Sequence, residues 1–184
     1  MPVSLIAPDT DNLQVGKGIV SFKPEGAAEF IDLGNVAELE YTPTVEKLDH
    51  FSSRAGIRTK DKSIVVTRSG TLRILMEELT AQNLAMLLMG SIDTAATPGP
   101  TIEIFAVDTI KGEVKFVATN DVGPRWDLNF YNVEFSPSGS LNPISDEWNQ
   151  IEVTGEVLLA EAPSTNAGKV GIATLTNLPA AAPG

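Results

Sequence analysis

The sequence contains no cysteine and a single histidine, His50, in 184 residues. Without thiols there is no disulfide and no thiolate metal site, and one imidazole cannot build a paired-histidine metal centre. Positive charge is scarce as well. Thirteen Lys and Arg against 24 Asp and Glu leave a formal net charge of −11, so most of the surface should repel nucleic acid rather than neutralise its phosphates. Aromatic residues amount to 6%, which is little for a ligand pocket walled by rings. No apolar run approaches the roughly 18 residues of a membrane-spanning helix; the longest are stretches such as Leu84 to Met89. The start, Met1-Pro2-Val3-Ser4-Leu5, has neither the basic opening nor the sustained apolar stretch of a secretory signal. Synthesis in the cytoplasm and no membrane association are therefore expected. The Walker loop, the dinucleotide glycine pattern, the nucleophile elbow and the zinc-protease helix are missing too.

What is present suits one folded domain: 42% apolar and 20% charged residues, in a chain long enough for a single core. Its charge is unevenly spread. Between Lys47 and Arg73 lie Lys47, Arg54, Arg58, Lys60, Lys62, Arg68 and Arg73 against only Asp49 and Asp61. A cationic segment in an acidic chain is what packing between identical subunits can use, and it is also what a solvated loop looks like.

Periodicity gives the elements. Ile19, Val20 and Phe22 read as a strand, closed by a turn at Pro24-Glu25-Gly26; Phe30, Ile31 and Leu33 follow, with a second turn at Gly34-Asn35. Leu39 and Tyr41 alternate with Glu38, Glu40 and Thr42, a strand with one wet face. Thr44 to Lys62 is irregular and charged, and reads as a long loop, functional or disordered. Ser63 to Leu79 reads as a long strand with a bend or bulge at Ser69-Gly70, or as two consecutive strands. Thr80 can cap a helix carrying Leu84, Leu87 and Leu88, with Gly90 as its left-handed stop. Ile102 to Val107 and Val114 to Val117 read as a hairpin turning near Lys111-Gly112. Leu128 to Phe135 alternates with a phase change near Tyr131-Asn132, Ile151 to Leu159 is a core strand, and Val170 to Leu175 is at most a short one. The fold class is mainly β (α+β): a β-sandwich or barrel of about eight strands with one flanking helix. Residues 1–16 are expected to form an arm, 17–161 the domain with its long loop at 44–62, and 162–184 a flexible tail.

Candidate chemistry is thin. Asp49, His50, Ser52 and Ser53 are the residue types of a hydrolase triad, yet neighbours on one segment point apart and lack an oxyanion hole, so a polar ordering role fits better. Glu77-Glu78 and Asp146-Glu147 are carboxylate pairs whose adjacent members diverge instead of converging on one bond. Trp126 and Trp148 could form a sugar platform, with packing at the core edge the preferred reading. Asp9 and Asp11 do not open a calcium loop, because Gln14 and Val20 stand where glycine and glutamate are needed. No cofactor is expected and the chain does not read as an enzyme.

Three stretches taken together resemble the major tail tube proteins of siphophages. They are Gly34 to Asp61, containing LDHFSSRAGIRTKD, then Gly70 to Gly90, GTLRILMEELTAQNLAMLLMG, and Tyr131 to Leu158, YNVEFSPSGSLNPISDEWNQIEVTGEVL. The resemblance covers about Gly18 to Leu159 and is one of order and spacing. It implies the tail-tube type of fold, with hexameric rings of identical copies stacking into a hollow tube in the virion tail. It implies partners as well: other copies of the chain, a tape-measure protein, and tail terminator or tip proteins. DNA would transit the lumen without specific binding. Lys47, Asp49, His50, Arg54, Arg58, Lys60 and Lys62 would form the contact between subunits or rings, and Glu38, Glu40 and Glu103 would line the lumen. A terminator, a neck protein, the tube of a gene-transfer or secretion system, and a carbohydrate-binding β-sandwich are the alternatives.

Overall fold

The computed structural model describes residues 10–54 and 56–176. The expected N-terminal arm up to residue 9 and the end of the tail from 177 lie outside them; a short 3-10 turn, Thr10–Asn12, begins the described chain.

The fold is mainly β with one helix. Its strands are β1 (Gly18–Pro24), β2 (Ile31–Asp32), β3 (Val36–Ser52), β4 (Thr59–Met76), β5 (Ser91–Asp93), β6 (Thr101–Glu103), β7 (Ile110–Ala118), β8 (Trp126–Pro137), β9 (Ile151–Val157) and β10 (Gly171–Leu175), with helix α1 (Ala81–Leu88) after β4. Eight strands join in one sheet in the order β2-β1-β7-β8-β9-β4-β3, with β10 on β8, while β5 and β6 make a separate ribbon. Every pairing is antiparallel. The layers expected of a sandwich are thus parts of a single sheet, which β8 bends by changing partners. Its first half pairs with β10 and its second half with β9. The phase change read at Tyr131-Asn132 is the bulge that allows this, where the register with β7 shifts between Gly112↔Val133 and Val114↔Phe130.

Alternation places one face of the sheet inside. Val20, Phe22, Leu72, Ile74, Met76, Val114, Val133, Phe135, Ile151 and Val153 are fully buried there beneath Met86 of α1. Phe22 and Phe135 meet edge to face, ring centroids 5.4 Å apart. Glycine makes room for both rings. A Cβ on Gly112 would stand 2.6 Å from the Phe22 ring, and one on Gly155 would stand 2.9 Å from that of Phe135.

Thr80 caps α1 by accepting from the Asn83 amide at 3.1 Å. Its stop differs from the sequence reading: Met89, at φ 48°, takes the left-handed position, and the Gly90 amide then donates to the Ala85 carbonyl. Gly90 is needed for a different reason, because a Cβ there would strike Ile102 and the Glu103 carbonyl. The buried Asn83 side chain ties the helix start to the sheet by donating to the carbonyls of Leu33 and Glu78, each at 2.9 Å.

Two other readings are corrected. Ile102 to Val107 does not pair with β7. Phe105 turns the chain at φ 54°, and β6 pairs back onto β5. Lys111-Gly112 is therefore not a turn but lies inside β7, with Gly112 opposite Pro24 and Val133. The short strand read at Val170 to Leu175 is present as β10, which pairs with β8 along its whole length.

Candidate assembly interface

β3 and β4 run for 17 and 18 residues, far longer than the sheet beneath them. β9 covers β4 only from Thr71 to Met76. Beyond Gly70 the two strands pair with each other alone, Thr44↔Ser69 through Ser52↔Thr59. Nine residues at about 3.3 Å each carry this hairpin about 30 Å out from the body. The stretch 44–62, expected to be an irregular loop, is therefore mostly paired strand. Its alternation was hidden because the arm has no buried side: Val45, Leu48, Phe51, Ile64, Val65 and Val66 are all exposed. Two bulges, at Glu46/Lys47 and His50/Phe51, further break the period. No bulge interrupts the pairing at Ser69-Gly70. One continuous strand passes through both residues, and Gly70 gives space to the Tyr41 ring at the root of the arm.

The predicted contact residues all lie on this arm. Lys60 bonds Asp49 at 2.7 Å and Ser63 donates to the same carboxylate at 2.6 Å. Lys60 foremost, then Ser63, hold the Asp49 carboxyl below its ordinary range. His50 Nδ1 meets Asp61 at 2.5 Å, and Arg58 lies over the Phe51 ring, 5.9 Å from its centroid. Asp49 and His50 thus turn to different partners, and no Ser-His-Asp relay forms among them. Among the described residues Lys47, Arg54, Arg58 and Lys62 form no ion pair. From residue 44 to 69 the arm carries six basic and three acidic side chains, leaving seven against 21 elsewhere. It is a cationic, apolar rod on an acidic body.

The outward face of the sheet is the second feature. Direct pairing puts Glu38, Glu40, Arg73, Glu152, Thr154, Glu156, Glu134 and Lys111 on it together. Arg73 sits between two carboxylates: Nε and Nη2 donate to Glu152 at 2.9 and 2.6 Å, and Nη1 to Glu38 at 2.7 Å. Arg73 holds Glu152 below the ordinary carboxylate value, and the two carboxylates, Glu152 first, raise Arg73 in turn. Lys111 is raised by its bond to Glu134. Among these residues five carboxylates stand with two cations, and the same face continues through Glu113 and Lys115 of β7 and Lys23 of β1, which pairs with Glu113. Of the three predicted lumen residues, Glu38 and Glu40 share this face, whereas Glu103 stands on the separate β5–β6 ribbon.

The remaining candidates have structural places. Glu77 and Glu78 both hold Asn35: its amide donates to Glu78 at 2.8 Å and its side chain donates to Glu77. Trp126 is partly exposed on β8, and Trp148, expected at the core edge, is 94% exposed. Sequence reasoning missed the loop between β8 and β9 that carries Trp148. Its signal was the Asp146-Glu147-Trp148 cluster, read only as separate acid and ring. Among the described residues no group of three or more His, Asp or Glu side chains could hold a metal ion, and no helix is long and apolar enough to cross a membrane.

Residues 13–122 match the model of a family described as protein of unknown function UCP028589. No curated protein matches the chain. Among solved structures, a chain of "Tail of empty GTA particle computed with helical refinement, C6 symmetry" is similar at 12% identity and TM-score 0.39, covering 93% of this chain and 100% of that one.

Proposed function

We propose that this chain, a member of the family whose model it matches over residues 13–122, is a structural subunit of a phage-type tail, forming rings that stack into a hollow tube. The observation that carries this reading is the arm. An isolated two-stranded hairpin is marginal in water, and this one exposes apolar side chains on both faces, with none of the described residues outside it covering them. A covering copy would supply the missing burial.

Two further features support assembly. Among the described residues β3 ends the sheet, so its outer edge has no strand partner there and is interrupted by Pro43. Such edges invite strand addition by a neighbour. The outward face bearing Glu38, Glu40, Glu134, Glu152 and Glu156 suits a lumen wall, because net negative charge keeps a passing DNA duplex from sticking. In this reading Glu103 lies off that wall. Function then resides in assembly, with the virion tail as location and tape-measure and terminator proteins as partners.

Negative-stain microscopy of the purified chain tests the proposal. Hollow tubes are expected. Single rings only would reassign the chain to a terminator or neck role, and monomers at every salt and protein concentration would overturn the assembly reading.

A further inference from the structure

The loop between β8 and β9 is held at both ends yet presents its middle to solvent. Leu141 packs against the core and Ile151 is buried, while the Gly139 amide donates to the Glu152 carbonyl at 3.1 Å. Between these anchors Ile144 is 96% and Trp148 94% exposed. Asp146 and Glu147 stand between them, and the loop from 138 to 150 has no Lys or Arg. An open depression of about 570 Å³, lined by Leu75, Asn142, Glu147, Trp148 and Gln150 among others, lies beside it.

The tip of the arm is the complement of this loop. It pairs exposed apolar groups, Ile57 at 82% and Phe51, with Arg54 and Arg58. Position matters as much as composition. β4 reaches the arm beyond Thr71, whose partner is Glu156, whereas the acidic loop enters β9 at Ile151, opposite Met76. Arm tip and loop therefore sit at opposite ends of the sheet. A knob at one end and an acceptor at the other make a head-to-tail contact, which extends copy upon copy wherever its rotation does not close a ring.

Resting on the tube reading above, we propose that the arm tip of one copy docks on the Ile144–Trp148 loop of a copy in the next ring. Ile57 and Phe51 pack on Ile144 and Trp148. Arg54 and Arg58 pair with Asp146 and Glu147, and a guanidinium can also lie on the Trp148 ring. Lateral contacts within a ring do not use this loop.

The absence of cysteine gives a clean test. The full chain carrying Ile57→Cys and Ile144→Cys is oxidised after assembly, beside each single variant. A ladder of disulfide-linked multimers in the double variant alone is the expected result. Intact tubes without a ladder would overturn the docking while leaving the tube reading in place. A wild-type chain that never assembles would overturn both. In parallel, Asp146→Lys with Glu147→Lys should abolish tubes but leave rings, and adding Arg54→Glu with Arg58→Glu should restore tubes. Tubes unchanged by the first pair would overturn the proposal. So would glycan binding that Trp148→Ala abolishes with tubes intact, which would assign the loop to a sugar instead.

Discussion

The rings of Tyr41 and Phe130 stand 4.9 Å apart and tilted at 47°, although β4 and β9 lie between their strands in the sheet. Laid flat, those strands would be about 14 Å apart. The contact records how far the sheet curls around its core, and it sits where the arm begins, with Tyr41 opposite Leu72 and over Gly70. A double-mutant cycle of Tyr41→Ala and Phe130→Ala, read by denaturant unfolding, should give a coupling of about 0.5–1.5 kcal/mol. Additive losses would mean the rings do not fix the root of the arm.

Arg73 makes stability depend on pH through Glu152. The Glu152 carboxyl is held low in the folded chain by Arg73, so its stabilising contribution is fully present above the ordinary carboxylate value. It is lost as pH falls through the lowered one. Thermal unfolding from pH 7 downward should show the advantage of the wild type over Glu152→Gln shrinking in that acidic window. Parallel curves for the two proteins would remove Glu152 from the linkage.

Much of the body was legible because its strands have one wet face and one dry one. Ile151, Val153, Gly155 and Val157 alternate in the sequence as they do in the sheet, and Thr80 capped the helix as its side-chain oxygen allows. Legibility failed where a strand has no dry face. In the arm, Leu48 and His50 share a side while Asp49 and Phe51 share the other, so polarity carries no period although the strands stay paired on either side of the two bulges. Gly112 misled for a related reason. A glycine beside a lysine reads as a turn, but it is in the sheet because the Phe22 ring occupies the space of its side chain. The candidate site was legible as a set of charges between Lys47 and Lys62, and not as a shape. Trp148 was found as a residue but misplaced, since nothing local distinguishes a ring at a core edge from one presented to a partner.

Gly155 should tolerate no side chain. A Cβ there would meet Val133 and Phe135 in the core, so Gly155→Ala should cost about 1–3 kcal/mol by overpacking. Gly16, with nothing within 4 Å of its would-be Cβ, should change stability by less than about 0.5 kcal/mol when made Ala. Equal effects in chemical denaturation would contradict the packing described for Phe135.

Hydrogen exchange along the arm tests the central claim most directly, since it asks whether residues 44–52 and 59–69 gain cover when copies meet. In dilute chain their amides should exchange quickly while those of Thr71 to Met76, paired on both sides, stay protected. In assembled material the arm should become protected as well, with the body unchanged. Arm amides that exchange equally in both states would contradict the account.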